Sequence, residues 1–336
     1  MNAPGIQSVL HPAAGSGAAL ISELTLVLFI GGTVLFVFVM ALLLRAVFSG
    51  ERPVDTRRWI LGGGVALPVV LLTLLLLYGL AVGGTLADAN ARGPLRFALD
   101  CISRGARALA APVAAQPPLR IEVTGRQWWW EVRYWGPETG ADGVPLANEL
   151  RLPAGRPVEL MLASGDVIHS FWVPTLAGKV DMIPGRVNRL MLRADESGVH
   201  RGQCAEYCGG QHAWMALYVE VMPEREFREW LGQQALPATV PVDPVLKLGY
   251  ETFMQAECTE CHAVRGTTAR GTKGPDLTHV GSRLSLGAGL LGNHDGTMAG
   301  WIAGTQDLKH GAHMPASREF SGVELRAVSA WLGSLE

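Results

Sequence analysis

Two uninterrupted apolar runs near the N-terminus constrain this chain more than any other feature. Residues 20–44 (LISELTLVLFIGGTVLFVFVMALLL) carry one charge, Glu23, and residues 59–82 (WILGGGVALPVVLLTLLLLYGLAV) carry none. Each exceeds the ~20 residues that a helix needs to cross a bilayer. A helix also satisfies its own backbone there. A buried soluble helix seldom runs this far without polar relief, so residues 1–86 are expected to form a two-helix transmembrane hairpin. Pro68 and Gly62–Gly64 are tolerable in a span, where neighbouring helices re-satisfy the backbone. Arg45, Arg52, Arg57 and Arg58 crowd the connection, whereas no Lys or Arg precedes Leu20. That asymmetry places the connection in the cytoplasm and both ends outside. Arg92, Arg96, Arg104 and Arg107 pull the other way, but they precede a large domain, for which the rule weakens. The N-terminus lacks the basic segment of a signal peptide, and the first apolar run could itself direct export.

Residues 87–118 turn Ala/Gly/Pro/Arg-rich and read as a connector holding a lone Cys101. From 119 the pattern changes to short runs punctuated by Gly and Pro: LRIEVTG, WWWEVRYW, ELRLPAG, RPVELMLAS, VIHSFWVP, NRLMLRA and ALYVEVM. Their period-2 alternation is that of half-buried strands. So many short strands in about a hundred residues imply an antiparallel sandwich or barrel. A short helix, PEREFREWLG, closes this domain at 231. Residues 232–243 are a Pro-rich spacer. Residues 244–336 begin and end on helical periodicity (VLKLGYETFMQAE, SGVELRAVSAWLGSL) with Gly-rich loops between. A net charge of -2 offers nothing to nucleic acid.

Within the second domain, Cys204, Cys208, His212 and Met215 fall on one loop that runs into a strand-like stretch. Thiolate and thioether ligands favour copper(I), zinc or iron–sulfur, and imidazole suits zinc and copper. A closed zinc site would use both cysteines and His212 with another His, but Cys-x3-Cys-x3-His is not zinc-finger spacing, and zinc leaves Met215 without a role. A blue-copper site takes two His, one Cys and a weak axial Met. This loop has one cysteine too many for that, and a second thiolate can bridge a second copper. The missing imidazole should come from an earlier strand. His169 in VIHSFWVP is the candidate, although a lone strand His is more often a packed core residue.

DVIHSFWVP, KVDMIPGRVN and GQCAEYCGGQHAWM together resemble subunit II of the haem–copper cytochrome c oxidases. The resemblance covers the hairpin and the copper domain, about two-thirds of the chain. It implies an all-β, cupredoxin-like Greek-key sandwich holding a binuclear CuA centre on Cys204, Cys208, His169, His212 and Met215, with the backbone carbonyl of Glu206. It also implies a magnesium ion on the Glu206 side chain where the partner subunit meets this one. In GRQWWWEVRYW, Trp128 matches the family's point of electron input and Trp129 follows it. The plainer reading makes Trp128, Trp129 and Trp130 core aromatics of a strand, on alternating faces. The family's acidic proton entrance is not matched well by Asp55 in RPVDTRRW and is not carried over.

AECTECHAVRG supplies Cys258, Cys261 and His262, the C-x-x-C-H pattern of covalent c-type haem attachment. Zinc or a redox dithiol would not explain the adjacent His. The segment resembles a small all-α class I cytochrome c domain. The sixth ligand comes from downstream. Met314, in HGAHMPAS, is favoured over Met298, His279, His294, His310 and His313, because Met/His ligation raises the iron potential. The carbonyl of Pro275 in GPDLTHVGSR is expected to orient His262. The fused arrangement resembles caa3-type oxidases. It implies the electron-input subunit of a proton-translocating cytochrome c oxidase, in which electrons pass from a cytochrome c or bc1-type donor through haem c and CuA to haem a of subunit I. Oxygen reduction would reside in subunit I, with subunit III as a further partner. The expected location is the bacterial cytoplasmic membrane, with the chain multi-pass and both termini and both metal domains periplasmic. A CuA-type nitric oxide reductase subunit and a copper-binding or assembly protein are the alternatives. Nitrous oxide reductase would lack the hairpin, and a quinol oxidase subunit would lack the copper ligands.

Overall fold

A computed structural model of the chain describes residues 14–50, 55–88, 117–137 and 139–336. Residues 89–116 of the expected connector, Cys101 among them, lie outside these. The chain divides into two compact units, residues 17–113 and residues 1–16 with 114–336.

The first unit holds two long helices. α1 spans Ser16–Phe48, 33 residues or about 50 Å at the usual rise, so it overshoots the ~30 Å hydrocarbon layer. The second begins with one turn at Thr56–Arg58, where the Asp55 carboxylate accepts from the Arg58 N–H. It passes through a π-helical stretch, Trp59–Ala66, into α2 (Leu67–Asp88). The π geometry has a local cause. Pro68 has no N–H, and its ring would clash with the carbonyl four residues back. Widening the ladder accommodates it, and the Leu67 N–H accordingly reaches Gly62 O. Glycines 62–64 set no side chain against the distortion. Both helices are long and apolar enough to cross a membrane, and their apolar side chains are largely exposed, Phe29 at 72% and Leu80 at 63%. In lipid that exposure costs nothing. The one acidic residue of the first span, Glu23, accepts from the Tyr78 hydroxyl at 3.3 Å.

The second unit opens on a β-sandwich. Its strands are β1 (Leu119–Arg126), β2 (Trp129–Trp135), β3 (Val144–Ala147), β4 (Glu149–Pro153), β5 (Val158–Ser164), β6 (His169–Trp172), β7 (Val180–Met182), β8 (Asn188–Leu192), β9 (Gly198–Cys204) and β10 (Ala216–Met222). They form two five-stranded sheets, ordered β3-β2-β1-β5-β8 and β4-β10-β9-β6-β7. The sandwich is not purely antiparallel, as the alternation suggested: β1 runs parallel to β5 and β10 parallel to β4. Trp130, Val132 and Tyr134 point inward from β2 while their neighbours are half-buried, and Trp130 meets Phe171 edge-on at 5.8 Å between ring centroids. Trp128, expected in the same strand, lies instead in the β1–β2 turn. α3 (Glu224–Gln234) closes the sandwich with Phe227 and Leu231 turned into its core.

The last domain is helical: α4 (Pro244–Gln255), α5 (Cys258–Cys261), α6 (Asp295–Leu308) and α7 (Gly322–Gly333), with a two-stranded ribbon of β11 (Ser285–Leu286) and β12 (Leu291–Gly292). α6 falls where only loops were expected. Its Met298, Ile302 and Thr305 are buried, and it bends at Gly304, whose backbone is not helical. α4 starts where Asp243 accepts from the N–H groups of Val245 and Leu246, with Pro244 in the first turn. α4 and α7 pack closely because Gly249 faces the Ala327 backbone; a β-carbon there would overlap the Ala327 carbonyl. Tyr250 and Phe253 flank Trp331 at 5.5 and 5.1 Å.

Candidate metal centres

The loop between β9 and β10 is closed at its neck by backbone hydrogen bonds. Cys204 N–H reaches Met215 O at 2.9 Å and Ala205 N–H reaches Ser170 O at 3.0 Å. A 3₁₀ turn, His212–Trp214, then feeds β10. This brings Cys204, Cys208, His212 and Met215 to one point, and the β6–β9 register adds His169. The two sulfurs lie 3.7 Å apart, Met215 Sδ lies 3.8 Å from Cys208 Sγ, and Glu206 O lies 3.1 Å from Cys204 Sγ. His169 Nδ1 faces Cys204 Sγ at 3.9 Å and His212 Nδ1 faces Cys208 Sγ at 3.6 Å. The ligand atoms of His169, Cys204 and Cys208 all fall within 4.8 Å of one another, and all three residues are buried. Gly125 leaves room for this, since a β-carbon there would sit 2.8 Å from the His169 ring.

The electrostatics suit a soft cation. The two thiols share a contact that lowers Cys204 well below an ordinary thiol, chiefly through the hydrogen bond with Cys208, and raises Cys208 by the same interaction. Alone, the pair releases one proton readily and holds the second; a soft cation held by these sulfurs would take that proton's place. His169 stands above its ordinary value. Burial acts to lower it, but contacts with Cys204 and Asp166 prevail.

Asp166 was not singled out by sequence. Its Oδ1 lies 2.7 Å from His169 Nε2, and its oxygens accept from the N–H groups of Gln127 and Val167. Burial pushes this carboxyl up, yet the hydrogen bonds from His169 and the two amides hold it below the usual range. It fixes the imidazole with Nδ1 toward the sulfurs, as carboxylates do for metal-bound histidines. Asp166→Asn is expected to weaken copper binding by about 10- to 100-fold, measured by competition with a copper chelator; undiminished affinity would contradict the role. The only detectable signal was the D-x-x-H spacing. The Cys208 carbonyl accepts from both Gln127 Nε2 (2.8 Å) and Trp128 Nε1 (3.0 Å).

In the helical domain, Cys258 and Cys261 share one turn, and His262 follows at its end. His262 Nδ1 lies 2.7 Å from Pro275 O, which leaves Nε2 free to bind a metal. Gly274 faces this ring, and a β-carbon there would come within 2.7 Å of Cε1. Burial lowers the His262 pKa, keeping the imidazole neutral as a ligand must be. Cys258 and Met314 border one apolar cluster with Leu277, Leu291 and Phe320. The rival ligands have other surroundings: Met298 is packed into the core at 2% exposure, His279 meets the carbonyls of Glu336 and Leu236, and His294 caps α6. The donor types and the apolar enclosure fit a covalently held haem, as the sulfur–imidazole set fits copper. Glu206 is exposed; its carbonyl faces Cys204, while its carboxylate accepts from the Tyr207 N–H at 3.2 Å. Trp129 is half-buried, with the Arg126 guanidinium 5.9 Å above its ring.

The fold and these donor sets define a class: a cupredoxin-like sandwich with a soft-ligand loop, coupled to a cytochrome c domain. The family of the cytochrome C oxidase subunit II periplasmic domain matches residues 119–222, and the cytochrome c family matches 246–336. Cytochrome c oxidase subunit 2 of Alkalihalophilus pseudofirmus is 36% identical over 225 residues, covering 67% of this chain and 64% of its own. That of Bacillus subtilis is 29% identical over 232 residues, covering 66% and 64%. The chain thus spans just under two-thirds of the length of these curated relatives. The periplasmic domain of subunit II of cytochrome oxidase (CoxB) of Bradyrhizobium japonicum is 32% identical over 34% of this chain and 90% of that one, with a TM-score of 0.31. The chain thus carries a cytochrome C oxidase subunit II periplasmic domain and a cytochrome c domain in one polypeptide.

Proposed function

We propose that this chain is the electron-input subunit of a caa3-type terminal cytochrome c oxidase. The observation that carries the reading is the enclosure of two thiols, two imidazoles, a thioether and a peptide carbonyl around one point. His169, Cys204, Cys208, His212, Met215 and the Glu206 carbonyl would hold two copper ions. Cys258 and Cys261 would bind haem c covalently, with His262 and Met314 on its iron. When bound, these groups supply reversible one-electron transfer at little structural change. The chain's own residues do the rest. Asp166 and the Pro275 carbonyl aim the two imidazoles, the loop neck fixes the sulfurs, and the apolar clusters exclude water.

The chain would divide at 86, 118, 231 and 243 into hairpin, connector, copper domain, linker and cytochrome domain. Two spans return the chain to the side on which it began. Ala14 and Gly15 hydrogen-bond to Thr175 O of the copper domain, which supports one common, periplasmic side for the N-terminus and that domain. A c-type cytochrome or bc1-type donor would supply electrons, and subunit I would receive them for oxygen reduction and proton pumping, with subunit III alongside. The exposed Glu206 carboxylate is the available ligand for a magnesium ion at the subunit I boundary.

Metal analysis and visible–near-infrared spectra of the purified membrane complex test this, together with oxygen consumption. Two coppers and one covalent haem per chain are expected. Zinc, or a single copper, in well-folded material would overturn the reading. Met314→Ala is expected to convert low-spin haem to high-spin, seen in the visible spectrum; an unchanged spectrum would move the sixth ligand elsewhere.

A further inference from the structure

The turn carrying Trp128 is covered by the chain's own cytochrome c domain. The Trp128 ring packs against the exposed His313 at 5.8 Å between centroids. At the centre of this seam lies Lys309, only 3% exposed. Its ammonium donates to Trp128 O, Trp214 O and Gly287 O at 2.9, 2.8 and 2.9 Å. Three N–H groups meet three carbonyls, two from the copper domain and one from the cytochrome domain, which exhausts the donor capacity of the group. Burial lowers its pKa to about 8, so it remains charged at neutral pH. Without it three carbonyls would face one another unpaired across the seam, a costly arrangement.

The loop 284–289 wedges in beside it. Leu284 N–H donates to Glu149 Oε2 at 2.7 Å, Ala288 O accepts from the Ala216 N–H at 3.0 Å, and Gly289 O accepts from Arg201 Nη1 at 3.2 Å. Ala288 holds φ at +64°, a conformation that few non-glycine residues adopt. Such a backbone persists where its surroundings over-determine it. At Gly289 a β-carbon would approach Ala216 Cβ at 2.9 Å.

We propose that Lys309 and the 284–289 loop fasten the cytochrome c domain over the Trp128 face, making that face an internal junction and closing it to a separate donor protein. The consequence for donors rests on the electron-input reading; the fastening itself does not. Amide exchange and hydroxyl-radical labelling of the full chain in its solubilised complex test it, comparing Lys309→Met, Gly289→Val and His313→Ala with the unmodified chain. In the unmodified chain the Ala216 amide should be protected and the Trp128 ring poorly labelled. Lys309→Met and Gly289→Val should speed exchange at Ala216 by at least about tenfold, the scale of one lost charge-assisted hydrogen bond. Both should raise Trp128 labelling, and His313→Ala should raise labelling alone. Peptides covering Ile121 and Val123 in the sandwich core should keep their protection, which excludes general unfolding. Trp128 labelled like a free indole in the unmodified chain, or exchange unaltered in both seam variants, would overturn the proposal. Loss of copper and haem bands from the unmodified chain would sink the electron-input reading instead, and labelling would still decide the fastening.

Discussion

A Cys208→Ser chain is expected to hold at most one copper and to lose the near-infrared band of a mixed-valence pair, while its haem spectrum stays as before. Cys208 Sγ sits beside three other donors: it lies 3.7 Å from Cys204 Sγ, 3.6 Å from His212 Nδ1 and 3.8 Å from Met215 Sδ. A serine hydroxyl keeps the volume but not the chemistry, because its oxygen is a hard and normally protonated ligand that does not bridge copper(I). The haem should be indifferent, since Cys258 and Met314 border a separate apolar cluster. Copper per chain and the near-infrared spectrum are the measurements, with oxygen consumption falling to background. Persistence of the band would refute the bridging role of this sulfur.

Gly249→Val is expected to destabilise the cytochrome c domain by about 3 kcal/mol or more, a large share of a domain's ~5–15 kcal/mol. The cause is the crossing of α4 on α7, where a β-carbon would overlap the Ala327 carbonyl and come within 2.9 Å of Trp331 Cβ. Backbone cannot move aside as a side chain can. The sign separates this from ordinary helix propensity: on an exposed helix Gly→Ala adds about 1 kcal/mol, whereas Gly249→Ala should subtract stability. Denaturant unfolding followed at the haem band reads the effect, and the copper band serves as the internal control. A stabilised alanine variant would show that the two helices do not pack this closely.

The features legible in the sequence are those written in local pattern. The long apolar helices announce themselves by length, the strands by period-2 burial such as that of Trp130, Val132 and Tyr134, and the sulfur and imidazole groups of the β9–β10 loop by their crowding. What escaped depends on partners distant in the chain. α6 (DGTMAGWIAGTQDL) is poor in helix formers and rich in Gly and Thr, so it owes its helicity to burying Met298, Ile302 and Thr305. The parallel pairings of β1 with β5 and β10 with β4 leave no trace in alternation. Asp166 gains meaning only once His169 is placed 2.7 Å away. Lys309 looks like any surface lysine until two domains close on it.

The π-helical stretch ahead of Pro68 sets the phase of everything beyond it. One additional residue in the ladder rotates the following side chains by about 100° around the axis. Tyr78, well downstream, reaches Glu23 at 3.3 Å in that phase. Deleting one glycine from 62–64 should therefore swing the phenol away from the Glu23 carboxylate, so a backbone irregularity near one end of the helix dictates how a polar pair meets further along it.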